Sequence, residues 1–228
     1  MTEELPLGES VDATPRPLPA RIPHRGASAT LEPIGPRHAA ELWDALRGAE
    51  TAFAYMAYGP FASEAALRDT IIGLASQHDP LAWAVRQHRT GTADGWLCLM
   101  DIQPRNASIE LGGILFSPRL QRTRASTEAM FLLMRHALDE LGYRRLTWKC
   151  NALNAASRRA AERLGFSYEG TLRAHIVVKG RRRDSAYFSI LQEEWPERRN
   201  AIAAWLEDSN FGPDGQAKQS LKKDWGAE

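Results

Sequence analysis

The strongest constraint on this chain is the order of its periodicities between Glu110 and Arg173. Ser108–Phe116 reads as a strand and runs straight into Ser117-Pro118-Arg119-Leu120-Gln121-Arg122-Thr123-Arg124. Met130, Leu133, Met134, Ala137 and Leu141 then recur at helical spacing, and Gly142 closes that helix. Leu146, Trp148 and Cys150 alternate along a second strand, Arg145–Asn151. Two strands joined through a helix pair in parallel, with a right-handed crossover. The short, basic connection enters the helix directly from the strand. Such a loop offers backbone N–H groups and the positive end of a helix dipole to an anion. A second helix over Ala155–Leu164 opens with Asn154-x-x-Ser157 and closes at Gly165.

The remainder is a meander. A strand near Ser28–Pro33 leads to a helix opened by Pro36, with Ala39, Leu42, Trp43 and Leu46 on one face. Ser63 caps a second helix that buries Leu67, Ile71 and Leu74. Strands over Leu81–His88 and Gly95–Gln103 flank a turn at Thr90–Asp94, and Ser167–Val178 with Asp184–Gln192 forms a hairpin around Gly180. Pro196 begins a last helix with Ile202, Trp205 and Leu206. The expected product is an α/β (α+β) domain: a mixed, mainly antiparallel sheet with helices on both faces and one βαβ crossover. It spans residues 26–208. A Pro-rich arm at residues 1–25 is expected to be disordered or extended, and residues 209–228 form a loose tail.

The 228 residues carry a net charge of +1, which gives no general attraction to nucleic acid or membrane. No apolar run is long enough for a membrane span. Cys98 and Cys150 fall in strands and no signal peptide is evident, so both read as reduced core thiols of a cytoplasmic protein. The six His are scattered without ligand spacing, so no metal is expected.

Four groups could carry chemistry. Amides from Arg122 to Thr127 can bond phosphate oxygens, with Arg119, Arg122 and Arg124 adding charge. The plainer alternative is a solvated connection capped by Thr123 or Ser126. Asn154 and Ser157 are either helix-start residues or a site hydroxyl with its neighbour, since Ser157 shares the sheet-facing side of its helix with Ala160, Ala161 and Leu164. Glu110 and Glu169 are strand carboxylates, each either an ion-pair residue or a base raised by burial. Arg173 and His175 lie two apart on the hairpin. They either bind an acceptor anion or pair with an acid such as Asp184 or Glu169.

In order along the chain, Phe116-Ser117-Pro118, Thr127-Glu128-Ala129, Leu141-Gly142, Asn154-x-x-Ser157, Leu164-Gly165-Phe166, Glu169-Gly170-x-x-Arg173 and Asp184 resemble the GNAT superfamily of acyl-CoA-dependent N-acetyltransferases. The RimJ/RimL-like branch is nearest, and the resemblance covers residues 28–208. It implies an enzyme that moves an acetyl group from acetyl-CoA to an amine: a protein N-terminus, an amino acid or a small molecule. It implies backbone pairing of the pantetheine arm at Phe116. The pyrophosphate would be held by Gln121, Arg122, Thr123, Arg124, Ala125, Ser126 and Thr127, and the cofactor arm by Asn154. Arg124 and Ser126 stand where the family pattern has small residues. Ser157 would protonate the departing thiolate, Glu169 or Glu110 would act as base, and an N–H near Phe116 would face the oxyanion. Arg173 and His175 would touch the acceptor, in a monomer or homodimer. The alternatives are a non-catalytic CoA-binding regulatory module and an acyltransferase for a longer acyl-CoA.

Overall fold

A computed structural model describes residues 7–221 and Trp225. The strands are β1 (His24–Arg25), β2 (Ala29–Pro33), β3 (Leu81–Gln87), β4 (Ala93–Gln103), β5 (Ser108–Phe116), β6 (Arg145–Asn151), β7 (Ser167–Val178) and β8 (Arg181–Leu191). The helices are α1 (Ala39–Leu46), α2 (Glu64–Ser76), α3 (Arg124–Arg135), α4 (Ala155–Arg163) and α5 (Trp195–Trp205). All eight strands form one sheet in the order β1-β2-β3-β4-β5-β6-β8-β7. Every neighbouring pair is antiparallel except β5 and β6, which are parallel. This is the α/β architecture expected, with its single crossover. No helix of the described residues is long and apolar enough to cross a membrane.

Strand alternation divides the core in two. Leu81, Trp83, Val85, Leu97, Leu99, Ile109, Leu111, Leu146 and Trp148 face α3, α4 and α5, meeting Leu133, Ala161 and Ile202. Ala82, Ala84, Trp96, Cys98 and Leu115 face the opposite way, against Leu42, Leu46, Leu67 and Ile71 of α1 and α2. Because α1 packs on β4 and α2 on β3, they leave that face of β6, β8 and β7 bare of helix.

Two irregularities shape the centre of the sheet. β5 and β6 pair only at Ser108–Arg145, Ile109–Leu146 and Glu110–Thr147. Beyond Glu110, β5 stays with β4 and β6 stays with β8, so the parallel strands separate and leave two facing edges inside the sheet. On its other side β5 carries a bulge, where the register steps from Cys98–Gly112 to Trp96–Leu115. Gly113 sits in it at φ +58, and a Cβ there would stand 2.8 Å from Cys98 Sγ, so only glycine fits.

A buried carboxylate ties the start of the sheet to α3. Glu128 accepts hydrogen bonds from the amides of Ala27 (2.7 Å), Ser28 (2.6 Å) and Ala29 (2.8 Å), and from Ser28 Oγ (2.7 Å). Gly26 passes so close that a Cβ would lie 2.3 Å from the carboxyl carbon. Upstream, residues 7–23 run extended along the body: Arg16 N–H bonds to Pro104 O (3.0 Å), Tyr143 Oη to Pro17 O (3.2 Å) and Trp83 Nε1 to Ile22 O (2.8 Å). Tertiary contacts, not local propensity, order this Pro-rich stretch, and they add the strand β1. The far end folds back in the same way. Residues 208–210 make a 3₁₀ turn, Phe211 bridges to Ala217, Trp205 Nε1 bonds to Gln219 O (2.9 Å) and Leu221 is buried. Hydrogen bonds and the buried Leu221 tie residues 208–221 back against α5 rather than leaving a loose tail, while 213–220 remain exposed. Residues 1–6, 222–224 and 226–228 lie outside the described residues.

The strap meets the body at two buried imidazoles. His24 of β1 lies 4.5 Å, centroid to centroid, from His136, which opens a π-helical turn (His136–Glu140) after α3. His136 Nδ1 is 2.7 Å from Glu140, while neither ring's Nε2 has a partner among the described residues. Burial, then the neighbouring His136, pushes His24 down to about 4, with Glu140 opposing. Its unfolded value is 6.5, so below that pH the unfolded chain takes up a proton that the folded chain refuses. Stability from this site is complete above pH 6.5 and is lost as pH falls toward 4, by up to about 3 kcal/mol. Urea midpoints measured between pH 7 and 4 should fall more steeply for wild type than for His24→Gln. Equal slopes would remove His24 as the cause.

Candidate active site

The split between β5 and β6 is lined from both faces of the sheet. On the α3/α4 face stands Ser157. Asn154 caps α4, its Oδ1 accepting from Ser157 N–H (3.1 Å), which leaves the Asn154 amide NH₂ without a partner among the described residues. Ser157 Oγ accepts a hydrogen bond from Trp148 Nε1 at 3.0 Å. Burial pushes the neighbouring Cys150 thiol up, with the Ser157 hydroxyl opposing. An indole can only donate, so Ser157 must accept from Trp148 and keeps its own hydrogen to give. Capping and an inward hydroxyl thus coexist in Asn154-x-x-Ser157.

On the opposite face stands Glu110, buried, with Oε2 2.7 Å from Lys149 Nζ. Lys149 also reaches Asp101 Oδ2 (3.0 Å) and lies 5.6 Å from the centre of the Tyr187 ring. Burial pushes the Glu110 carboxyl above its ordinary range, with Lys149 opposing. Burial alone would lower Lys149, but Glu110 and Asp101 push it up. Glu169 is differently placed. It accepts from both Arg145 guanidinium nitrogens, Nη1 at 2.7 Å, and from Ser189 Oγ at 2.7 Å. Arg145, helped by Ser189, holds it below the usual carboxylate range. Since Ser189 pairs with Thr147 and Thr147 with Glu110, Glu169 stands about two strand spacings, ~10 Å, from the split.

The loop after β5 is built around α3. Ser117 O accepts from Leu120 and Gln121 N–H (both 3.0 Å), and Gln121 Nε2 bonds to Phe116 O (2.8 Å). Thr123 is the N-cap: its Oγ1 accepts from Ser126 N–H (3.1 Å), while Thr123 N–H bonds to Ser126 Oγ (3.2 Å). The cap consumes the amides of Thr123 and Ser126, and Thr127 N–H goes to Thr123 O (3.4 Å). The amides of Arg122, Arg124 and Ala125 remain without an acceptor among the described residues. The cradle is thus narrower than the run from Arg122 to Thr127. Thr127 itself is buried, its Oγ1 accepting from Arg163 Nη2 (3.0 Å).

The three loop arginines do not act together. Arg119 Nε binds the buried Asp94 at 2.6 Å, and its Nη1 lies 3.2 Å from Asp44. Arg124 turns to the end of α5, bonding Leu206 O and Asp208 (2.7 Å) with its carbon 4.7 Å from the centre of the Phe211 ring. Arg122, exposed like Arg119, has no side-chain partner among the described residues and sits at the sparsely populated φ of +59. On the hairpin, Ala174 at φ +51 forms a bulge whose amide donates to Asp184 Oδ1 (2.7 Å). A bulge breaks the period of two, so the shared face expected for Arg173 and His175 does not follow. His175 packs on Tyr187 and places Nδ1 3.0 Å from Ser185 Oγ, whereas Arg173 is exposed and pairs with neither Asp184 nor Glu169. Sequence reasoning passed over Trp148, Lys149 and Glu128. The available signal was a Lys between Trp148 and Cys150 in an alternating strand, and a Glu inside the apolar run Ala125–Leu133.

A split parallel pair, with a helix N-terminus below it and side chains converging from both faces, defines an acyltransferase-type scaffold. A family model described as Acetyltransferase (GNAT) domain matches residues 29–167. The chain is similar to the crystal structure of a GCN5-related N-acetyltransferase from Brucella melitensis: 43% identity over 91% of this chain and 96% of that one, TM-score 0.89. A probable acetyltransferase of the GNAT family from Chromobacterium violaceum ATCC 12472 shares 38% identity over 86% and 98% of the two chains, TM-score 0.76. YdaF of Bacillus subtilis (strain 168), named as a candidate ribosomal N-acetyltransferase, is 30% identical over 46% of this chain. The matched segments span only 57% and 49% of the curated relatives' own lengths. The chain belongs to the GNAT acetyltransferase family.

Proposed function

We propose that this protein transfers an acetyl group from acetyl-CoA to an amine, and that the split between β5 and β6 is where the transfer occurs. The observation that carries the reading is the split itself, with Ser157 and Glu110 on its two faces and three open amides at the start of α3. The pantetheine arm is an extended amide chain, and the unpaired edge of β5 from Leu111 to Phe116 offers it strand-like hydrogen bonds. The pyrophosphate would sit on the amides of Arg122, Arg124 and Ala125 with the helix dipole behind them, and Arg122 is the one loop arginine free to add charge. Asn154 would use its open NH₂ on the same arm.

An acceptor ammonium must lose a proton before its nitrogen can attack the thioester carbon. Glu110 is the better base: burial raises it, whereas Arg145 lowers Glu169. Nitrogen then bonds to the acyl carbon, backbone N–H groups of the bulge near Gly113 stabilise the oxyanion, and collapse breaks the C–S bond. Ser157 gives its proton to the departing thiolate, and the second proton shed by the nitrogen as it becomes an amide returns through water to restore the Ser157 hydroxyl. The entering amine and departing sulfur are thus served from opposite faces of the sheet.

The test is thermal melting with CoA together with thiol release from acetyl-CoA. CoA at 100 times its Kd should stabilise the fold by about 2.7 kcal/mol. Thiol release should rise with pH as Glu110 ionises, and Glu110→Gln should remove that limb while Glu169→Gln keeps it. An unmoved melting temperature at millimolar CoA would sink the proposal.

A further inference from the structure

We infer that the acceptor amine carries an anion, a carboxylate or a phosphate, close to its nitrogen, and that Arg183 at the mouth of the split receives it. The inference rests on reading the split as the acyl-transfer centre and adds the class of acceptor.

Position comes first. Ser185 of β8 pairs with Asn151, the last residue of β6, and Asp184 O accepts from Ala152 N–H (2.9 Å). Arg183 is therefore two residues beyond the end of β6, and alternation puts it on the side of Ser185 and Tyr187. Its charge is felt at Glu110 and also at Cys150. Glu110 looks toward the bare face of the sheet and Cys150 toward the α3/α4 core. Lying past the last residue of β6, Arg183 is not walled off from the split by that strand.

Charge comes second. The charged groups nearest the split on the bare face are matched: Glu110 and Asp101 with Lys149, Glu169 with Arg145, and Asp184 with the Ala174 amide and Arg182 Nε (3.5 Å), while Arg173 and Arg181, unpaired among the described residues, are exposed to water. Arg183 has no carboxylate within 4 Å among the described residues, and its Nε is buried without a partner. A half-buried guanidinium left in that state is unfavourable until an anion reaches it.

Enclosure comes third. Tyr55 Oη bonds to Leu153 O (3.1 Å) and Lys179 Nζ to Phe53 O (3.0 Å), so the connection between α1 and α2 reaches over to the β6–α4 turn and to the hairpin. This connection borders the mouth of the split, where charge acts over a lower effective dielectric than in open water. A polycationic amine entering there meets Arg183 as a like charge, whereas an amine with an adjacent anion brings its own counter-charge.

The test uses products, which need no turnover. CoA is first titrated by calorimetry; failure at this stage counts against the acetyltransferase reading itself. The CoA-saturated protein is then titrated with N-acetylglycine, N-acetyl-O-phosphoethanolamine, N-acetylglycinamide and N1-acetylspermidine. One or both anionic probes should bind about 10- to 100-fold more tightly than the neutral amide, the stronger one telling carboxylate from phosphate, and acetylspermidine most weakly. Arg183→Gln and Arg183→Glu should erase that preference without changing CoA affinity, and Arg183→Lys should restore part of it. Equal binding of amide and anion, tighter binding of acetylspermidine, no binding by any probe, or a preference that survives Arg183→Gln would each overturn the inference.

Discussion

Ser157→Ala lowers turnover with a competent amine by about 10²–10⁴-fold and leaves CoA affinity close to wild type. The size follows from the leaving group. Without a proton donor the C–S bond must break to a free thiolate in a site walled by apolar residues, where an unpaired charge is costly. Trp148 makes Ser157 a better donor in two ways. Its 3.0 Å hydrogen bond draws electron density from Oγ, and it occupies the acceptor side of the hydroxyl, so the proton is directed elsewhere. Trp148→Phe keeps the ring and removes the bond, and should give a smaller fall in the same direction. Steady-state thiol release and a CoA titration on the same preparations decide the matter. Undiminished turnover in Ser157→Ala would leave the residue as no more than part of the α4 start.

Glu128→Ala destabilises the fold by on the order of 2–6 kcal/mol, because the buried Ala29 amide loses its acceptor at about 1–3 kcal/mol and the part-buried Ala27 and Ser28 amides lose theirs at about 0.5–1.5 kcal/mol each. Glu128→Gln keeps the shape but turns one carboxylate oxygen into a donor facing N–H groups, so it should recover only part of the loss. At typical urea slopes the midpoint of the Ala variant should fall by more than about 1 M. A fall within a few tenths molar would mean that water replaces the carboxylate without cost. Because Glu128 lies one turn into α3, this stability effect reaches the functional loop: the clasp holds the helix whose N-terminus offers the open amides.

Much of this arrangement was legible in the residues. Leu146, Trp148 and Cys150 announce a half-buried strand, and Thr123 with Ser126 announces a helix cap. Both signals are local, arising from side chains within one or two turns of each other. Other assignments were ambiguous because the competing partner lies far along the chain. Arg119 could have met a phosphate or an acid, and Asp94, 25 residues upstream, decides for the acid. Glu169 and Glu110 looked equivalent as strand carboxylates. Arg145 takes one, while burial beside Lys149 sets the other apart. The face of His175 was read from a period of two, which the bulge at Ala174 breaks.

The sequence by itself determined the kinds of element, their order and the one parallel crossover, since periodicity, caps and glycine stops act over a few residues. Tertiary structure alone decided which charges are spent on one another and which are left over. Ion pairing depends on distances between residues tens of positions apart, and a one-residue bulge or a strand that leaves its neighbour resets them. The opening between β5 and β6, with Ser157, Glu110 and Arg183 brought to it from α4, β5 and β8, exists only once eight strands are in register.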